Sequence, residues 1–189
     1  MPIAMPTRDP YLRYAPSRDE WAIGSKGGSR VIKLDGQVVA VDPERLRRGW
    51  LTGHDGSSKR TFTPVPGLDG PMPPPPTAEA KPALSLFALA PKAFGVADIA
   101  FEMTNWTYSH CEFVTHLYNQ CEPQFGRDLV PLVEFGPSQP IQFGDRKTRL
   151  LTYKVLRWVP RDKAFPNPSR AQPQSAGAAD AAEPEGWAG

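Results

Sequence analysis

Apolar and polar residues alternate in short blocks along most of the chain, and glycine, proline and aspartate bound the blocks. Arg30-Val31-Ile32-Lys33-Leu34 and Gln37-Val38-Val39-Ala40-Val41 flank Asp35-Gly36. Two such runs predict a hairpin, because Asp-Gly supplies the positive φ angles of a type I′ turn. Trp50-Leu51-Thr52 and Lys59-Arg60-Thr61-Phe62 predict a second hairpin around a loop that holds His54-Asp55-Gly56. Between them, Asp42-Pro43-Glu44 places a capping side chain before a proline and predicts one helical turn over Pro43 to Arg48, stopped at Gly49. Leu84 to Leu89, Val96 to Phe101, Leu129 to Phe135, Pro140 to Phe143 and Thr148 to Val159 read as further strands. Trp21 and Phe62 are candidate core residues.

Helical periodicity is confined to one stretch. From Thr107 to about Glu122, Phe113, Val114, Leu117, Tyr118 and Cys121 recur at i, i+1, i+4, i+5 and i+8, with Glu112, Thr115, Asn119 and Gln120 mostly elsewhere. Pro123 and Gly126 end it. The expected class is mainly β with one α-helix (α+β). A chain of 189 residues is long enough for one domain with a real core and short for two. Residues 1–9 read as a loose arm and residues 10–160 as a single β-rich domain. Within that domain, Pro64, Pro66, Pro71, Pro73 to Pro76 and Pro82 make 64–82 an exposed connector, since a segment missing so many N–H donors cannot lie inside a sheet. After Pro160 the composition turns to Pro, Ala, Ser and Gly, and residues 161–189 read as a disordered acidic tail.

Charge sharpens this division. The formal net charge is +2, but residues 171–189 hold Asp180, Glu183 and Glu185 with no Lys or Arg, which leaves about +5 on the rest. A mildly basic body suits a polyanionic ligand. Cys111 and Cys121 fall on the predicted helix, about 15 Å apart along its axis, too far for a disulfide. With no charged start leading into an apolar run, and no run of about 18 apolar residues, the chain reads as a reduced, cytoplasmic protein.

Catalytic and metal-binding patterns are sparse. On a helix His110 and His116 sit about 120° apart and cannot share a metal from one face. Neither C-x-x-C nor H-E-x-x-H spacing occurs, and Gly24-Ser25-Lys26-Gly27-Gly28 lacks the order of a phosphate loop and reads as a hairpin turn. The expectation is a binding protein with no catalytic residues, metal or cofactor, and not an enzyme.

The binding signal lies between Asp145 and Lys163, where seven basic residues face two acids. On a continuous strand Arg149, Tyr153 and Arg157 share one face, spaced about 13 Å apart, while Lys154 and Trp158 lie on the other. Cations flanking a ring suit a single strand, whose phosphates track charge while a base stacks. Lys147 belongs to the same stretch, and Trp50, Lys59 and Arg60 extend the surface from the second hairpin. In the competing reading Tyr153 and Trp158 fill the core and the basic residues guard an edge strand. Asp180, Glu183, Glu185 and Trp187 form a separate, partner-binding tail with Trp187 as anchor.

A β-rich body with one helix, a basic aromatic strand and an acidic tail near an aromatic ring resembles the single-stranded-DNA-binding proteins of bacteriophage and bacterial replication. That resemblance implies an OB-like, partly open antiparallel barrel, binding of single-stranded DNA or RNA without sequence preference, and recruitment of replication proteins through the tail. The order Arg48-Gly49-Trp50, Gly70-Pro71-Met72-Pro73, helix, Leu129 to Glu134, Leu156 to Pro160 also looks like that of uncharacterised phage and mobile-element proteins. The alternative function is a phage virion or assembly protein that uses its sheet for protein contacts.

Overall fold

A computed structural model describes residues 5–6, 10–25, 28–53, 60–95 and 100–165. The elements are β1 (Met5–Pro6), β2 (Tyr11–Ala15), β3 (Glu20–Ser25), β4 (Gly28–Ile32), β5 (Val38–Thr52), β6 (Thr61–Val65), β7 (Lys81–Leu89), α1 (Pro91–Phe94), β8 (Phe101–Asn105), α2 (Tyr108–Cys121), β9 (Leu129–Phe135), β10 (Gln139–Phe143), β11 (Arg146–Leu150), β12 (Tyr153–Pro160) and α3 (Arg161–Ala164). The fold is mainly β with few helices, as expected from the alternating pattern. Its large sheet runs β1-β6-β5-β7-β8-β2-β3-β4, with β9 added beside β5 and β12 beside β9, while β10 and β11 form a separate hairpin. The sheet is open rather than closed, and β2 pairs parallel to β8, which departs from an all-antiparallel barrel.

Strand β5 organises the sheet. β7 runs along one of its edges, while the other edge takes β9 at Val38 to Ala40 and β6 at Arg48 to Thr52. The register against β7 shifts between Asp42 and Arg47. Pro43 sits in this irregularity, where a missing N–H removes no ladder bond. The Asp42 carboxylate still accepts a bond from the Arg45 backbone N–H, as a capping side chain would, but the predicted helical turn does not form because the flanking residues pair in the sheet. Gly49 is required for a different reason from the one its sequence position suggested: a Cβ there would stand 2.2 Å from Thr63 O on β6.

Helix α2 lies on one face of the sheet and buries Phe113, Val114, Leu117 and Cys121 against Leu12, Tyr14, Trp21, Ile23, Leu86, Met103, Val133 and Phe135. The apolar stripe read from the sequence is the one that packs, and Trp21 and Phe62 are both buried. A smaller cluster of Ala40, Phe87, Leu89, Val130 and Phe165 covers part of the opposite face. No helix among the described residues is long and apolar enough to cross a membrane.

Several expectations are corrected. Asp35-Gly36 does form a turn, with Gln37 N–H donating to Leu34 O at 2.8 Å. It joins no hairpin, because β4 pairs with β3 at the sheet's edge and β5 lies at its centre. Leu34, fully buried, carries the chain across the core between them. Met5–Pro6, expected in the loose arm, pair with β6. The Trp50 hairpin forms as expected, with its loop 54–59 outside the described residues. The body also extends beyond Pro160: the Arg161 guanidinium meets Glu44, Asp42 and Asp128, and Phe165 is buried. Burial raises the Asp42 carboxyl above its usual range, with Arg161 and Arg45 opposing the shift. A chain ended at Pro160 is expected to lose at least about 3 kcal/mol, since it empties a core site and strips a buried carboxylate of its partner; urea melts of chains ending at 160 and 165 measure the difference.

His110 is fully buried and its Nε2–H donates to Leu84 O at 3.1 Å. Burial lowers its pKa to about 4, so the imidazole is neutral in the folded state. The unfolded chain binds its proton near pH 6.5. Stability from this group is therefore complete above about pH 6.5 and is lost as pH falls toward 4, by at most about 3 kcal/mol. His110→Gln keeps a donor for Leu84 O and is expected to flatten the stability-versus-pH curve in that window, as read from urea midpoints.

Candidate nucleic-acid interface

The basic aromatic stretch is not one strand. It breaks at Leu151 and Thr152 into β11, which pairs with β10, and β12, which pairs with β9. Thr152 packs tightly on the β9 end, where its backbone carbonyl accepts the Gly136 N–H at 2.9 Å. A second irregularity, at Leu156, places Val155 opposite Val133 but Arg157 opposite Leu132. The extra residue reverses the alternation, so Tyr153 faces the α2 side of the sheet and Arg157 the other.

The predicted residues consequently scatter. Tyr153 stands edge-on to Phe113, with centroids 5.2 Å apart, and burial raises its phenol pKa. Trp158 packs at the margin of the same core. Arg149 lies 3.0 Å from Asp19 and donates to Ser138 Oγ at 2.7 Å and Ser138 O at 3.1 Å. Asp19, at a backbone φ of 54°, also accepts from the Ser138 hydroxyl and from Tyr14 at 2.7 Å. These bonds, Ser138's first, hold its carboxyl below the usual range. Arg149 thus brackets the β10–β11 hairpin to the β2–β3 turn. Lys147, Lys154 and Arg157 are exposed. Trp50 is partly buried, its indole N–H without a hydrogen-bond partner among the described residues. Arg60 is partly buried and donates to Thr104 O at 3.0 Å. Lys59, Asp180, Glu183, Glu185 and Trp187 lie outside the described residues.

A groove of about 550 Å³ opens instead at the N-terminal end of α2. Trp106 and Tyr108 stand on it, 41% and 42% exposed. The local sequence sets them there: Asn105 donates to Tyr14 O at 3.1 Å and accepts the Trp106 N–H at 2.9 Å, fixing the backbone just before the helix. Ser109 and His110 then turn inward and are buried, which leaves Tyr108 outside. Across the groove Arg146 begins β11 and is exposed. Ser109 Oγ, bonded to Arg149 O and 3.3 Å from Thr148 Oγ1, ties that strand to the helix.

The connector supplies a further wall. Arg48 donates to Gly67 O at 2.9 Å, Gly70 O at 2.7 Å and Asp69 O. Its fork is thereby committed to the backbone, and Met72 is held on the groove. Cys111 contributes to the lining with a thiol that burial pushes up to about 11, so it is protonated and unreactive at neutral pH. Cys121, buried beneath, is pushed up to about 12. Among the described residues no group of three or more His, Cys, Asp or Glu could hold a metal ion.

Sequence reasoning missed Trp106 and Tyr108, although a signal was present. Tyr108 is nine residues before Leu117, about half a turn out of phase with the buried stripe, so an aromatic ring had been placed on the outward side of an amphipathic helix. No protein-family model, curated protein or solved structure matches the chain.

Tyr153→Ala is expected to lower folding stability by about 2 to 4 kcal/mol, as truncation of a packed ring does. Arg149→Ala should cost only about 1 kcal/mol, since its ion pair is partly exposed and screened. Urea unfolding of both variants checks the order.

Proposed function

We propose that the protein binds single-stranded nucleic acid without sequence preference, and that the groove at the start of α2 is the binding site. The observation that carries this reading is the pairing of two exposed rings, Trp106 and Tyr108, with Arg146 across one groove. A base stacks on an aromatic face whatever its identity, and a guanidinium holds the adjoining phosphate. Lys147, next on β11, is also exposed but points to the hairpin's other face by strand alternation. The protein acts passively in this reading, by electrostatic capture followed by stacking, and the open sheet serves as the rigid wall that a partly open OB-type barrel provides. A role in phage or mobile-element replication, with Asp180, Glu183, Glu185 and Trp187 recruiting partners, belongs to the same proposal.

Titration with oligo-dT, followed by tryptophan fluorescence across a salt series, tests it. Trp106→Ala should weaken binding by about 1 to 3 kcal/mol, and Arg146→Ala should reduce the salt slope by about 0.7, both without change in melting temperature. Unchanged affinity in a folded Trp106→Ala variant would remove the groove from the site. A second reading, a structural protein, is favoured by Val31, 61% exposed on edge strand β4, and by Leu156, 43% exposed on β12. Absence of oligo-dT binding together with concentration-dependent self-association in sedimentation would select it.

A further inference from the structure

The connector between β6 and β7 is tied down at both ends. Arg48 holds its first residues through the carbonyls of Gly67, Asp69 and Gly70, with the two glycines at φ angles of 67° and 83°. At its far end Ala80 is buried and its N–H donates to Thr77 O at 3.2 Å. Between these ties lie Pro71-Met72-Pro73-Pro74-Pro75-Pro76. A proline holds its own φ at about −65°, and a residue ahead of a proline is driven to extended backbone. Residues 72–75 each precede a proline and are therefore set in polyproline II geometry. They belong to no helix or strand, and residues 73–76 are exposed.

A proline run held in this way is ordered before it binds, so docking it costs little conformational entropy. The surface that receives such a run is a groove lined by aromatic rings. This chain carries one: Trp106 and Tyr108 stand exposed on the groove at the start of α2, beside Pro82 and Met72. Met72 lines that groove while the four prolines after it do not, so the run starts at the groove's rim and continues beyond it. Charge is complementary as well. Asp69 and Glu79 flank the run and are exposed, and Arg146 stands exposed across the groove.

Donor and acceptor therefore adjoin in one patch, which is what a two-fold interface requires. With the axis at the rim, each copy's run enters the other's groove, and association closes at two copies. We propose that residues 73–76 of one copy dock on Trp106 and Tyr108 of a second copy, and reciprocally. In this closed dimer the acids that flank each run face the cation of the opposite groove. The dimer uses the groove whether or not nucleic acid also binds there.

Sedimentation equilibrium of the full chain, without nucleic acid, should show a concentration-dependent exchange between monomer and dimer. Pro74→Ser combined with Pro75→Ser, and separately Trp106→Ala, should each raise the dimer dissociation constant by about tenfold or more. Melting of dilute, monomeric protein should be unchanged in both, because the altered side chains are exposed. An equimolar mixture of the two variants should associate more tightly than either alone, since a mixed pair keeps one intact run facing one intact groove. A general folding defect has no such rescue. A wild-type chain that stays monomeric would overturn the proposal, as would a dimer that neither variant weakens or a mixture that shows no rescue. Oligo-dT that binds through Trp106 yet leaves the dimer intact would also overturn it. Failure of oligo-dT to bind, with the dimer and its rescue present, removes the nucleic-acid reading alone.

Discussion

The structure depends on one strand having to satisfy two different neighbours on the same edge. β5 gives its first residues to β9 and its last to β6, with β7 along the opposite edge on both sides of an interruption. A regular fifteen-residue strand would hold a single direction, and the interruption between Asp42 and Arg47 lets its two ends serve two ladders. The side chains of that interruption are then committed. Asp42 and Glu44 meet Arg161 and so dock the end of the body, while Arg47, where pairing resumes, meets Glu102. Arg48 turns to the connector. Local backbone irregularity and long-range charge pairing are here the same feature.

The frame so made presents two surfaces of different character. On the α2 side the helix covers the core, and its first turn, together with β11 and the connector, leaves aromatic rings beside a cation. On the other side no helix among the described residues lies over the centre of the sheet, and polar groups stand beside the smaller apolar cluster of that face. The buried hydroxyls of Ser85 and Thr104 are satisfied by Glu102, whose own charge is met by Arg47. An interior carboxylate of this kind requires a nearby cation, which explains why arginine rather than an aliphatic residue stands at position 47.

Much of this was legible in the sequence wherever a segment's own pattern decides its state. Helix α2 follows from its apolar stripe, β7 and β9 from apolar runs, and the middle of the connector from its prolines, but the connector's ends do not: Pro64 lies in β6 and Pro82 in β7, and both pair with β5. What local pattern cannot carry is the identity of a strand's partner. The Asp35-Gly36 turn is real, but Leu34 sinks into the core and sends the chain to the middle of the sheet rather than back along β4. Nothing at Leu151-Thr152 marks a break by composition; the chain changes partner there because Thr152 meets Gly136, which was distant until the fold was known. The extra residue at Leu156 then separates Tyr153 from Arg157, two residues whose spacing implied a common face. Of the expected site residues, those that stayed exposed are ones whose neighbours asked nothing of them, and the rings that stand on the groove flank a helix start that had been read only for the apolar stripe that follows it.

The place of β2 in the sheet governs how the chain can assemble. Its ladder partner β8 comes so late that Asn105, which fastens to the Tyr14 carbonyl, is separated from it by 91 residues. The β2–β3–β4 unit can form early, being local, yet it has no seat until β5 and β7 have paired and β8 has been laid beside them. Closure of so long a loop makes for high contact order and slow folding. On a ribosome β2 must therefore wait, edge exposed, until the 91 residues that separate Tyr14 from Asn105 have emerged.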